Sequence, residues 1–118
     1  MGGATYEIII FLETFPSMDI SFYNKKILEE VSSFKEPFAS DIARALDILA
    51  MSGNEISLPH SKSLGKGLFE LRCLGTGVRI FYAFSKQEAV VLHIVLKKQA
   101  KISKRDLELS RKRQKQLA

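Results

Sequence analysis

"LFELRCLGTGVRIFYAFSKQEAVVLHIVL", Leu68 to Leu96, holds three short runs rich in β-branched and aromatic residues, broken by "GTG" at 75–77 and "SKQE" at 85–88. Runs of this kind between turn residues read as successive strands joined by tight hairpins. Strands are predicted over Leu68–Leu74, Val78–Phe84 and Ala89–Leu96. Side chains alternate across a strand. One face then carries Phe69, Leu71, Cys73, Val78, Ile80, Tyr82, Phe84, Val90, Leu92, Ile94 and Leu96, and it is fit to meet helices. The other carries Glu70, Arg72, Arg79, Phe81, Val91, His93, Val95 and Lys97. This assignment takes all three strands to be free of bulges. Two readings of the charged face stand side by side. It is a cup for an anion, or it is a half-solvated face on which Glu70 pairs with Arg72 or Arg79 and the arginine stems lie on apolar surface.

Upstream, "YEIIIFLET" (6–14) alternates and predicts a first strand. Ile20, Tyr23, Ile27, Val31 and Phe34 then recur at three- and four-residue steps, which predicts a helix with Asp19 as its N-cap. Pro37 interrupts, and a second helix is predicted to about Met51, with Ile42, Leu46 and Leu49 as its buried stripe and Gly53 as its stop. "NEISLPHSKSLGKG" (54–67) reads as a loop. Ser103 with Asp106 makes an S-x-x-D start for a closing helix. The predicted order is β-α-α-β-β-β-α. That is an α+β fold with a mostly antiparallel sheet, two N-terminal helices on one face and a basic C-terminal helix. A chain of 118 residues predicts a single domain over 1–118, with residues 1–5 expected to be mobile.

Charge runs along the chain as a dipole. Residues 1–56 hold 4 basic and 9 acidic groups, 57–96 hold 5 and 2, and 97–118 hold 9 and 2, which sum to the net +5. A basic C-terminal end suggests a polyanionic partner, nucleic acid first. No run reaches the ~18 apolar residues of a membrane span, and the start reads as no signal peptide. The single Cys73 makes no internal disulfide, which favours a cytoplasmic setting. His60 and His93 lack ligand partners at metal-site spacing, and no Walker or dinucleotide glycine pattern occurs, so no cofactor is expected.

"GKGLFELRCLGTGVRIFYAF" (65–84) followed by "VVLHIVLKKQAKISKRDLELSRKR" (90–113) resembles the HigB-like, phage-derived branch of the RelE/ParE toxin superfamily. The resemblance rests on the E-L-R strand, the R-I-F-Y strand, the V-L-H strand and the K-K-x-x-K exit, in this order. It implies the toxin of a type II toxin–antitoxin pair, which cuts mRNA on the ribosome and is held by a cognate HigA-like antitoxin bearing a helix-turn-helix. Carried over by position, it implies that Arg72, Arg79, Lys97, Lys98 and Lys101 bind and orient the RNA backbone. The chain also departs from RelE itself. Leu68 and Glu70 stand where RelE has lysines, and no Tyr follows Tyr82 to serve as its aromatic acid.

Metal-free RNA cleavage uses the RNA's own 2′-OH, so the protein must align that oxygen and stabilise charge on the phosphate. Arg72 and Arg79 suit the second task, because a guanidinium forks onto phosphate. Lys97 or Lys98 would add charge or act as a base, and His93 is a candidate acid or base as well as a candidate structural residue. His60 is a weaker candidate. Tyr82 and Cys73 read as core. Lys104, Arg105, Arg111, Lys112, Arg113 and Lys115, on the last helix, would attract RNA without specificity or dock the antitoxin. The alternatives are a ParE-like inhibitor of DNA gyrase without catalysis and a plain nucleic-acid-binding module.

Overall fold

The computed structural model describes residues 17–96 and 101–117. The strand predicted over 6–14, the mobility expected of residues 1–5, and Lys97 and Lys98 lie outside these residues. The described elements are β1 (Asp19–Phe22), α1 (Lys25–Ser32), α2 (Phe38–Ser52), a 3₁₀ turn (Gly53–Glu55), β2 (Ser61–Ser63), β3 (Phe69–Arg72), β4 (Val78–Ser85), β5 (Glu88–Leu96) and α3 (Lys104–Lys115). They form an α+β fold whose five strands lie in the order β1-β5-β4-β3-β2. β1 runs parallel to β5 and every other pairing is antiparallel.

Sheet pairing overrides the helical spacing at the start. Asp19 does not cap a helix. It opens β1, whose residues Asp19–Phe22 pair with Glu88–Val91. The helix begins six residues later, capped by Asn24, whose side chain accepts from the Ile27 N–H at 2.9 Å. Ile20, Tyr23, Ile27, Val31 and Phe34 still pack on one core, but Ile20 reaches it from a strand. α2 follows the expected face, with Ile42, Ala45 and Leu49 buried. It ends at Gly53, whose φ of 57° is a left-handed value that favours glycine. The polar "SKS" of β2 had no apolar alternation to mark it as a strand. It pairs through its backbone with Phe69–Leu71, and the buried Ser61 hydroxyl meets the Tyr82 hydroxyl at 2.7 Å.

β5 decides the architecture. Phe81 pairs with His93, yet Tyr82 pairs with Val91, so Leu92 is an extra residue and the register shifts there. The face predicted for a regular strand therefore inverts upstream of the bulge. Ala89 and Val91 join Leu71, Ile80, Tyr82 and Ile94 against α1 and α2. Val90 and Leu92 turn to the opposite face with Leu68, Phe81 and Ala83, where Ile102, Leu107 and Leu117 cover them. The sheet thus has two cores, and α3 closes the second.

The "GTG" hairpin is fixed from α2. Asp41 accepts from the Thr76 N–H at 2.7 Å and from its hydroxyl at 2.8 Å. A Cβ on Gly75 would lie 3.2 Å from the same carboxylate oxygen. Asp41→Ala should cost about 1.5–3 kcal/mol, the range for hydrogen bonds to a charged group. In urea unfolding the midpoint should fall with the slope unchanged. A wild-type midpoint would show that the hairpin holds itself.

Candidate functional site

The site grows from a parity that the sequence predicted correctly for β3 and β4. Phe69, Leu71, Ile80 and Tyr82 pack toward the α1/α2 core, which leaves Glu70, Arg72, Arg79 and Phe81 on the α3 side. Arg72 stands directly opposite Arg79 in the register. Like charges so placed repel. Glu70 relieves the repulsion: its Oε1 accepts from Arg72 Nε at 3.1 Å, and its Oε2 lies 3.8 Å from Arg79 Nε. The pairing read for this face is therefore found, without the half-solvation: Glu70 pairs with both arginines, but its side chain is only 1% exposed against 26% for Arg72 and 21% for Arg79.

Two buried atoms of the triad, Glu70 Oε2 and Arg79 Nε, have no hydrogen bond. They face one another just beyond bonding distance. Among the described residues the terminal Nη nitrogens of Arg72 and Arg79 also make no hydrogen bond. Exposed Lys62, opposite Glu70 in the β2–β3 register, adds a cation with no ion pair among the described residues. From sequence Lys62 falls in a predicted loop. Its backbone register is the signal that brings it here. His60 contributes its carbonyl, which accepts from the Arg72 N–H at 2.8 Å.

His93 sits on the same face, stacked on Phe81 with ring centroids 5.8 Å apart. Its Nε2 donates to Asp106 at 2.8 Å. Asp106 also accepts from the Ser103 hydroxyl, and its own N–H donates back to that hydroxyl at 3.1 Å, as the S-x-x-D spacing predicted. His93 thus ties β5 to the first turn of α3.

The basic groups of α3 divide by position. Arg111 donates to the carbonyls of Gly65 and Leu64, each at 2.7 Å. Arg113 donates to the carbonyl of bulged Leu92 at 2.6 Å and lies over the Tyr23 ring. These two arginines are engaged within the fold, not held out for RNA as the sequence suggested. Lys101, Lys104 and Arg105 are exposed near the start of α3. There they oppose the helix dipole, whose positive end they crowd. Lys112, Arg113 and Lys115 occupy the last turn, where the dipole favours them.

Among the described residues no three His, Cys, Asp or Glu side chains gather as a metal set. No helix there is long and apolar enough to cross a membrane.

Compared with known families, residues 29–115 match the one described as Phage derived protein Gp49-like (DUF891). The chain belongs to the Gp49-like family. That family lies within the RelE/ParE-like toxin superfamily, so a toxin of a toxin–antitoxin pair, with an antitoxin partner, is the general class. The Gp49-like match takes in every site residue named above and stops short of β1. No curated protein matches the chain.

Two groups predict measurable chemistry. Burial, helped by the nearby Asp41 charge, pushes the Cys73 thiol up to about 12, against an opposing pull from Arg79. At pH 8 its thiolate fraction is then about 1 in 10⁴, far below that of a free thiol. A disulfide reagent should label Cys73 only after unfolding in guanidinium; rapid labelling of the native protein would contradict its burial. For Asp106, burial works upward, but the Ser103 hydroxyl and His93 outweigh it and hold the carboxyl below its ordinary value. A depressed folded-state value means that its stabilisation is present above about pH 4 and disappears as pH falls through the folded value. Amide protection in the first turn of α3 should fall over that acid range in the wild type. In Asp106→Asn the step should be absent.

Proposed function

We propose that this chain is a toxin of the HigB-like branch that cuts mRNA on the ribosome. The Arg72–Glu70–Arg79 cluster carries the reading: two guanidinium forks, without a hydrogen bond at their tips among the described residues, side by side on a sheet face that also holds the buried Glu70. A phosphodiester is the ligand class this arrangement suits, because each fork presents two parallel N–H donors to phosphate oxygens.

In the proposed reaction the 2′-OH of the RNA attacks the adjacent phosphorus. The O2′–P bond forms, the P–O5′ bond breaks, the 2′ proton goes to a base and a proton reaches the leaving O5′. The products are a 2′,3′-cyclic phosphate and a 5′-OH, and the RNA itself supplies the nucleophile. Arg72 and Arg79 stabilise the charge that builds on the non-bridging oxygens. Lys97 and Lys98, directly after β5, are assigned to proton transfer and added charge, and Lys101, Lys104 and Arg105 to the flanking RNA backbone. His93, with Nε2 on Asp106, is assigned to holding α3 beside the site. The acidic N-terminal half and the basic site face suit a cytoplasmic toxin that an HTH-bearing, HigA-like antitoxin silences by covering this face.

The test must respect Glu70. Removing both arginines strands a buried carboxylate, which costs about 3–5 kcal/mol and confuses loss of fold with loss of function. Arg72→Lys and Arg79→Lys keep the charge and lose the fork. Controlled expression in bacteria should arrest growth and create new mRNA 5′ ends inside translated codons. The lysine variants should cut about 100-fold more slowly, the scale of one lost transition-state donor. Arrest with intact mRNA would sink this reading and bring gyrase inhibition forward.

A further inference from the structure

We infer that Glu70 is a positioning residue of this site: its buried carboxylate lies between the two guanidiniums at their Nε edges, hydrogen-bonded to Arg72 and facing Arg79 as an ion pair, and so leaves their forks for a phosphate. The inference rests on the proposed cleavage for its kinetic consequence, but its geometry stands alone.

A carboxylate and an arginine left to themselves pair fork to fork, two N–H donors on two oxygens. Glu70 does otherwise. It divides its oxygens between two arginines and meets each at Nε, Oε1 on Arg72 at 3.1 Å and Oε2 facing Arg79 at 3.8 Å. One buried oxygen and one buried N–H are left without a hydrogen bond by this choice. An arrangement serving stability alone would close that gap, because unsatisfied buried polar atoms are costly. What the arrangement does achieve is to place two like charges opposite one another in adjacent strands with the Nη pairs of both uncommitted. Glu70 also cancels one of the two charges, so the cluster attracts an anion without two bare cations repelling across the ladder. Lys62, on the same cross-strand row as Glu70, brings the local excess back to two positive charges. That matches the two negative charges on a phosphorane better than the single charge of the starting diester. Differential charge matching of this kind accelerates the reaction without tightening substrate binding.

The test exploits opposite signs. Glu70→Gln is near in shape and raises the formal net charge from +5 to +6. Electrostatics alone then predicts equal or tighter RNA binding and an unchanged or faster reaction. The positioning role predicts equal or tighter binding with single-turnover cleavage on mRNA-programmed ribosomes slowed about 10–100-fold. Glu70→Asp, which keeps the charge, should recover part of that loss. The effect of Glu70→Gln should nearly vanish in the Arg72→Lys/Arg79→Lys background, where no forks remain to be aimed. A second readout needs no catalysis. ¹⁵N spectra of the wild type should show a protected Nε–H signal for Arg72, whose proton is hydrogen-bonded, and a separate buried one for Arg79. Adding a 2′-O-methyl RNA oligonucleotide, which cannot be cleaved, should shift both. In Glu70→Gln the Arg72 signal should lose its protection and the Arg79 signal should move. If that variant does not fold, Glu70→Asp carries both measurements. A wild-type cleavage rate in a folded Glu70 variant, or arginine signals that the substitution leaves unmoved, overturns the inference. A wild type that cuts no RNA overturns the cleavage reading instead, and the arginine signals then decide the positioning role by themselves.

Discussion

The extra residue at Leu92 is the constraint on which the rest of this fold depends. Among the described strands β5 alone lies between parallel β1 and antiparallel β4, so its parity sets what each face of the sheet can bury. A regular β5 would send Val90 and Leu92 to the α1/α2 side and Val91 alone of the three to the opposite face. The bulge moves both across, and α3 gains a platform of Leu68, Phe81, Ala83, Val90 and Leu92. Arg113 then accounts for the displaced backbone by donating to the Leu92 carbonyl. The same guanidinium lies over Tyr23, whose N–H donates to the carbonyl of neighbouring Val91. One side chain thus ties the last helix, the bulge and the start of α1 together.

That closure also shapes the charge distribution. A helix as basic as α3 would be a diffuse positive rod if all its cations were solvated. Instead Arg111 and Arg113 turn inward onto backbone carbonyls, and the free cations near the helix start stay exposed. Lys101, Lys104 and Arg105 crowd the helix end where positive charge is least welcome. Asp106 offsets this only in part, since its oxygens are already committed to His93 and Ser103. Local helix stability does not account for cations there. The polyanionic partner proposed above would.

Much of this was legible in the sequence, and the failures have definite physical causes. The three hairpin strands, the α2 stop at Gly53 and the Ser103 cap were readable because each rests on short-range chemistry: alternation, a left-handed φ, a side chain reaching three residues. The Glu70, Arg72, Arg79 and His93 grouping was readable for the same reason. β1 was misread because Ile20 stands at helical spacing from Tyr23, Ile27 and Val31, and only pairing to β5 marks it as strand. β2 was invisible because its pairing is made by backbone and carries no apolar pattern. The bulge leaves no composition trace, so Val90, Val91 and Leu92 were placed on the wrong faces.

The Arg–Glu–Arg cluster is where stability and use pull apart. Replacing a buried charged triad with well-packed apolar residues is often neutral or stabilising by ~1–4 kcal/mol. The surrounding face already offers apolar neighbours in Leu68 and Phe81, so a hydrophobic solution was within reach of the fold. The chain instead keeps a carboxylate that is almost wholly buried, with one oxygen unbonded, between two arginines that it meets at Nε. Folding alone gives no reason for that choice. The anion proposed above would supply one, because its charge would complete the set: Glu70 faces the Nε edges and the anion would take the Nη edges.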